Sequence, residues 1–285
     1  MTFQLDSSQD WTDHFVEYGI GVARGVVDKA FCEEAVARIK EHVDDPRPLD
    51  QWTVDKPGIK HEWFREGKSD PVLRKVFDQP RLKSAVATMH GGPEHWNGRE
   101  TLGFFVKPYD PNAEAALSPN GHIDFGNQHI PILYRGFALF ILMADTEPFS
   151  GNTTAWPHTH RIIQKQLMNE PTTQQPSDYF EELHKDLSEP YEFVGEAGDV
   201  FFMHHLALHS GNNSHSANRV PRIALCVDAW RDEWLTEIDP ATPNLPPWHR
   251  SLALNGAYKT IYDERAERAK TDPEVAAEIA ETNKS

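Results

Sequence analysis

The sequence predicts a mainly β chain of the α+β class: one β-rich domain, a two-sheet sandwich or barrel, held between helical flanks. Three observations predict it. Short apolar runs broken by turn residues fill the stretch from Thr101 to Trp230, and helical periodicity is confined to the segments on either side. One run, Phe137-Ala138-Leu139-Phe140-Ile141-Leu142-Met143, is apolar at every position, so neither of its faces is suited to water. At 285 residues the chain has the length of a single β-rich domain and needs no split.

The elements follow in order. Phe15 to Val27 reads as a strand leading into a turn, with Tyr18, Ile20, Val22 and Val26 among glycines. Asp28 suits a helix N-cap, and Phe31, Ala35, Val36 and Ile39 recur at helical spacing through about His42. Asp44 to Lys68 reads as an irregular surface connection, in which Trp63-Phe64-Arg65 is a packed loop or, alternatively, part of a lid. Asp70 to Met89 is helical, with Val72, Leu73, Val76, Leu82, Ala85 and Val86 along one side. Residues 1–100 thus form a strand and helical support. Residues 101–232 form the barrel core, with strands at Thr101–Lys107, Gly136–Asp145, Asn152–Trp156, Tyr191–Val194, Asp199–Met203 and Arg222–Trp230. Pro119-Asn120-Gly121 and Gly211-Asn212-Asn213 supply turns between them. Residues 233–285 are a Pro-rich segment and a helical tail, with Pro273 suited to a helix start.

Composition narrows the partners. The hydrophobic fraction of 39%, with eight Trp and fifteen Phe, is enough for a solid core. Forty-four acidic against 28 basic residues give a formal net charge of −16, which repels phosphate backbones and anionic membranes. With no basic run to offset it, neither nucleic acid nor membrane is expected as a partner. Cys32 and Cys226 form no CxxC pair and suggest no disulfide framework, which fits a reducing compartment. The opening Met1-Thr2-Phe3-Gln4-Leu5-Asp6 lacks signal-peptide features, and no apolar run approaches the roughly 20 residues that span a bilayer. A cytoplasmic protein is expected; the sequence carries no signal of oligomeric state.

Three groups of residues carry chemistry. His122-Ile123-Asp124 follows a Gly turn at the start of a strand, where side chains two apart share a face and can grip one ion. His-x-Asp recurs by chance in many chains, but His209 follows 85 residues later, just past the apolar strand Gly198-Asp199-Val200-Phe201-Phe202-Met203. Two imidazoles and one carboxylate on one face of an octahedral ion leave open positions, a set that suits Fe(II). Zinc would favour three or four N/S ligands, for which the cysteines are wrongly spaced. Arg219-Val220-Pro221-Arg222 then leads into an apolar strand. An arginine here can clamp a carboxylate through two parallel hydrogen bonds, as the far end of 2-oxoglutarate would require. Either arginine can alternatively be a surface residue paired with an acid.

At these residues the chain resembles the phytanoyl-CoA dioxygenase family of Fe(II)/2-oxoglutarate-dependent oxygenases. His14-Phe15-Val16-Glu17-Tyr18-Gly19-Ile20, then Val26-Val27-Asp28 and a helix, is similar to the family's first strand and helix. Gly121-His122-Ile123-Asp124 resembles its proximal metal motif. Phe140 through Asp145, Pro148, Gly151 and Pro157-His158-Thr159-His160 resemble its next strand and the turn that usually reads Pro-Gly-Ser-His. Gly198-Asp199-Val200-Phe201-Phe202, His209 and Pro221-Arg222-x-Ala224-Leu225 resemble its distal half. The resemblance implies a double-stranded β-helix, a jelly-roll or cupin-like barrel, with N- and C-terminal helices flanking it. It implies iron ligands His122, Asp124 and His209, which are also the catalytic set, and Arg222 rather than Arg219 as the 2-oxoglutarate anchor. Thr101 is the nearest candidate for a polar residue that assists the co-substrate, and Phe140 falls where many relatives have Trp near it. His158 stands where relatives have glycine, which implies a loop of different shape. The implied reaction couples O2 and decarboxylation of 2-oxoglutarate, to succinate and CO2, to oxidation of a small-molecule metabolite. An intact Asp124 implies hydroxylation, desaturation or cyclisation, since halogenating relatives have a small residue there.

Other residues have competing readings. His204 or His205 is a rival ligand, but neighbours on a strand face opposite sides, so at most one would point at the metal. His158 and His160 have metal-binding spacing, against their reading as a turn, and His215 is expected to be solvated. Asn127, Gln128 and His129 are candidates for the substrate mouth. Trp156 is a stacking residue or a core one. For the whole chain two further readings stay open: a cupin-like metal enzyme using the same triad without 2-oxoglutarate, and a non-catalytic metabolite-binding barrel.

Overall fold

The computed structural model describes residues 2–6, 8–54, 63–64, 70–96, 102–123, 136–169, 187–230, 238–253, 271–273 and 277. Helix α1 (Trp11–Tyr18) opens at Asp10, whose carboxylate accepts the Thr12 N–H at 2.8 Å, and ends at Gly19. It corrects the expected strand from Phe15. Trp11, Phe15 and Tyr18 recur at helical spacing, and the extended signal belongs to β1 (Ile20–Ala23) alone. Helix α2 (Lys29–His42) starts after Asp28 as its apolar spacing predicts. The region between is less irregular than expected. Trp52 is fully buried, and β2 (Trp63–Phe64) is a short strand, where a loop or lid segment was expected; Arg65 lies outside the described residues. A 3-10 helix (Leu73–Asp78) and α3 (Pro80–His90) divide the predicted single helix, because Pro80 can open a helix and cannot continue one.

The remaining strands are β3 (Leu102–Lys107), β4 (Gly136–Leu142), β5 (Thr153–Ala155), β6 (Tyr191–Glu192), β7 (Val200–Met203), β8 (His209–Gly211) and β9 (Arg222–Trp230). Two helices had no counterpart in the expectation, α4 (Thr159–Asn169) and α5 (Pro247–Leu252). The expected tail helix at Pro273 lies mostly outside the described residues. Every strand pairing is antiparallel: one sheet has the order β1-β7-β4-β9-β3-β2 and the other β6-β5-β8.

The fully apolar run explains the layering. On β4, Phe137, Leu139 and Ile141 join a cluster with Phe15 of α1, Ile39 of α2, Val86 of α3 and Trp248 of α5. The alternate residues Ala138, Phe140 and Leu142 pack with Phe201 of β7 and with Ala155 and Tyr191 of the smaller sheet. Helices therefore cover one face and the second sheet the other, each buried Leu or Phe contributing roughly 1.5–3 kcal/mol. Among the described residues no helix is long and apolar enough to cross a membrane.

Gly198-Asp199 ties this arrangement together. Gly198 adopts φ +91°, accepts the Val27 N–H at 3.0 Å and donates to the Leu142 carbonyl at 2.8 Å. The buried Asp199 carboxylate accepts from Gly25 N–H at 2.7 Å, Glu196 N–H at 3.0 Å and Arg24 at 2.7 Å. A Cβ on residue 198 would sit 2.2 Å from the Val27 carbonyl oxygen, which is backbone and has nowhere to go. Gly198→Ala is therefore expected to cost about 3 kcal/mol or more, from left-handed strain and the clash together. Urea unfolding checks this; a loss within about 0.5 kcal/mol, the range of a neutral surface change, would contradict it.

Candidate active site

His209 opens β8, and its backbone pairs with that of His122. The His122 N–H donates to His209 O at 2.8 Å, and the His209 N–H donates to His122 O at 2.9 Å. The two rings lie 4.4 Å apart. His209 is buried, and its Nδ1 lies 3.1 Å from the Ala207 carbonyl oxygen. A carbonyl only accepts, so Nδ1 carries the proton and Nε2 keeps the lone pair that a metal needs. His122 is exposed, an isolated bridge residue where the start of a strand was expected. Its segment lies close against Trp156 and Leu208, since a Cβ on Gly121 would come within 2.7 and 2.8 Å of them. Thr159, at the start of α4, fixes the underside, accepting the Leu208 N–H at 2.9 Å and donating to Trp156 O at 2.7 Å. Asp124 lies outside the described residues. Among the described residues no group of three His, Cys, Asp or Glu side chains could hold a metal.

Between the two sheets is a second polar group. Arg222 is buried at the start of β9; its Nη1 donates to Thr153 Oγ1 of β5 at 2.5 Å, while its buried Nε has no partner. The Phe105 ring lies 5.6 Å from its guanidinium carbon. Burial pulls the guanidinium down to about 10, with a small opposing push from Cys226. Thr153 pairs with Gly211, two residues along β8 from His209, about 6.6 Å at the ordinary strand rise. Arg219 is elsewhere: it is exposed, with φ 56°, and its guanidinium carbon lies 5.1 Å from the Tyr109 ring centroid.

Phe140 faces the interior, its ring 6.4 Å from that of His209 and 6.2 Å from that of Phe105. Thr101, Asn127, Gln128 and His129 lie outside the described residues. His204 and His205 do not face opposite sides, because β7 has ended and they occupy a turn. Their rings stack at 4.6 Å, each 5.0 Å from Trp248. His204 Nδ1 accepts the Leu206 N–H, and burial, reinforced by His205 and His160, holds its pKa well below the ordinary range. Burial, then the neighbouring Arg161, pushes His160 down to about 3. His160 and His204 are neutral core histidines. His215 is half-buried against Tyr109 where solvation was expected, and Trp156 is a core residue.

Two antiparallel sheets, the paired His122 and His209, and a buried Arg222 that reaches Thr153 of the other sheet make up the candidate site. Residues 15–224 match the phytanoyl-CoA dioxygenase (PhyH) family, and the chain belongs to that family. Its enzymes use Fe(II), 2-oxoglutarate and O2, and this chain is one of these non-haem oxidoreductases. Solved structures share the fold at low identity. The 2-oxoglutarate-dependent carbocyclase SnoK from nogalamycin biosynthesis is 17% identical, with 81% of this chain and 85% of that chain covered and a TM-score of 0.57. For the epimerase SnoN of the same biosynthesis the figures are 15%, 83%, 90% and 0.51. For AviO1 of Streptomyces viridochromogenes Tue57 they are 19%, 86%, 100% and 0.51. No curated protein sequence matches the chain.

Sequence reasoning missed Thr153, Phe105 and Lys107, which line the Arg222 end. Their strands were predicted, but period two leaves open which face is the interior. The Pro157–His160 segment holds a surprise of its own. His158 was expected to reshape the turn, yet it adopts φ 68°, the left-handed conformation that glycine favours. Its ring packs 5.0 Å from Tyr18 and its N–H donates to Tyr18 O at 3.0 Å. Two variants separate strain from ring contact, since both remove the ring. His158→Gly is expected to be about 1 kcal/mol more stable than His158→Ala. Equal thermal midpoints would show the turn to be unstrained.

Proposed function

We propose that the chain is an Fe(II)/2-oxoglutarate-dependent dioxygenase that oxidises, most simply by hydroxylating, a small-molecule metabolite. His122, Asp124 and His209 would hold the iron, and Arg222 the distal carboxylate of 2-oxoglutarate. The observation that carries this is the buried guanidinium of Arg222. Among the described residues it has no acidic partner and its Nε is orphaned, on the same interior that His209 faces. A cation left this way is costly unless a ligand completes it. The two facing sheets support a double-stranded β-helix as the finer description of the barrel.

Bound iron would supply O2 activation coupled to decarboxylation of 2-oxoglutarate to succinate and CO2. The protein's part is positioning. The Ala207 carbonyl holds the His209 tautomer, so the ring presents Nε2 without reorganising. Arg222 and Thr153 orient the diacid, and the rings of Phe105, Phe140 and Phe201 keep the interior dry. A carboxylate at position 124, in place of a small residue, would leave a halide no place on the iron, which favours hydroxylation, desaturation or cyclisation.

Succinate release from a metabolite library, measured with iron-loaded protein, tests the reading. Turnover is expected to need both iron and 2-oxoglutarate and to vanish in His209→Ala. Arg222→Met is expected to raise the KM for 2-oxoglutarate roughly 100-fold, the loss of two charge-assisted hydrogen bonds at about 1.5 kcal/mol each. Ligand-free Arg222→Met should be no less stable than the ligand-free parent, because it removes an unpaired buried cation. Metal-dependent turnover indifferent to 2-oxoglutarate would favour the cupin-like reading. Metabolite binding without any turnover, unchanged in His122→Ala, would favour the binding barrel.

A further inference from the structure

Lys107 ends β3 directly opposite Arg222, the two being Cα partners in the β3–β9 ladder. Strand alternation puts it on the face of Phe105, which packs on the interior cluster. Its stem lies flat on Gly151, where a Cβ would come 2.8 Å from Lys107 Cβ. From there it reaches the space above Gly211. A Cβ built on Gly211 would lie 3.8 Å from Lys107 Cε and 3.9 Å from Arg222 Nη2, so the two cationic side chains converge over a floor that carries no side chain. Across that floor Thr153, the Cα partner of Gly211, presents its hydroxyl to Arg222.

Among the described residues neither cation has an acidic partner. Asp110, three residues beyond Lys107, accepts from Asn112 N–H; Glu192 accepts from Phe149 N–H and Asn152, and Glu147 from Asn218. Two like charges placed together, one buried and one half-buried, repel, and a carboxylate between them would reverse the sign of the interaction. A single arginine suffices to orient one carboxylate, so the second cation needs its own reason.

We propose that Lys107 is a second binding residue for the anionic co-substrate, its ammonium sharing with Arg222 and Thr153 the carboxylate that 2-oxoglutarate directs away from the metal. This rests on the function proposed above and adds a ligand contact to it. Burial, then the field of Arg222, lowers the Lys107 pKa to about 8 in the ligand-free protein. The titratable or charged groups on the surrounding strands are Arg222, Cys226 and Asp228 on β9 and His209 on β8; β5 presents Thr153 there. Binding a carboxylate raises the pKa of Lys107. Below about pH 8 the ammonium is already charged and affinity is flat. Above it, the free protein has to take up a proton on binding, so affinity falls as pH rises.

The test is calorimetric titration of 2-oxoglutarate into manganese-loaded protein between pH 6.5 and 9.5, a readout independent of turnover. For the parent protein, Kd is expected to be level below about pH 8 and to rise above it, with proton uptake seen as a dependence of heat on buffer. Lys107→Met is expected to weaken binding roughly tenfold at pH 7 and to abolish the pH slope. Lys107→Arg, charged throughout, should restore affinity without the slope. Should Lys107→Met fail to fold, the parent profile and Lys107→Arg still decide. A parent protein that binds with no slope, or a Lys107→Met protein with unchanged affinity and slope, overturns the assignment and leaves the role of Arg222 standing. A parent protein that takes up no 2-oxoglutarate overturns the function proposed above and this contact with it.

Discussion

The site depends on closure of the three-stranded sheet over the inner face of the larger one. That face carries Phe105, Phe140 and Phe201, rings that water would otherwise cover, and the smaller sheet meets them with Ala155, Tyr191 and Phe193. The Tyr191 and Phe193 rings stack on Phe201 at 6.0 and 5.0 Å. Closure is thus driven by apolar burial. Its consequence is chemical: the same movement sets His209 on β8 and Thr153 on β5 facing Arg222 and Lys107. Without it, the ends of the proposed ligand site would belong to separate surfaces.

On the function proposed above, the interior is a compromise between stability and ligand recognition. Its upper layers are aromatic and satisfied by packing. Its lower layer holds cations with one hydroxyl and no acid among the described residues, an arrangement a purely structural core would avoid. The glycines at 151 and 211 belong to the same compromise, since side chains there would crowd the space over which Lys107 and Arg222 converge. The deficit is local, and the co-substrate contact proposed above would add the missing charge.

The histidines separate by tautomer and depth more than by position. His209 is oriented by the Ala207 carbonyl, which its Nδ1 meets as a donor. His204 is held the opposite way, with Nδ1 accepting a backbone N–H, and it stacks in a ring cluster with His160, His205 and Trp248. Burial keeps His160 and His204 neutral, so they behave as aromatic packing with polar edges. A count of fifteen histidines says nothing about this division.

By itself the sequence determined what local chemistry can dictate. The all-apolar run at Phe137–Met143 required cover on both faces, the periodicity after Asp28 required a helix, and ordered short motifs pointed to the family. It also set His122, Asp124, His209 and Arg222 apart as candidates, of which the structure brings the first and third together and leaves Asp124 outside the described residues. Tertiary structure decided what depends on non-local contact. It made Phe15–Tyr18 helical against β1, put helices on one side of the central sheet and strands on the other, and divided Arg219 from Arg222 by burial. It alone brought Lys107 and Thr153 to the Arg222 end. The reason is that strand alternation states which residues share a face, while which face is inside is settled only when the second sheet docks on it.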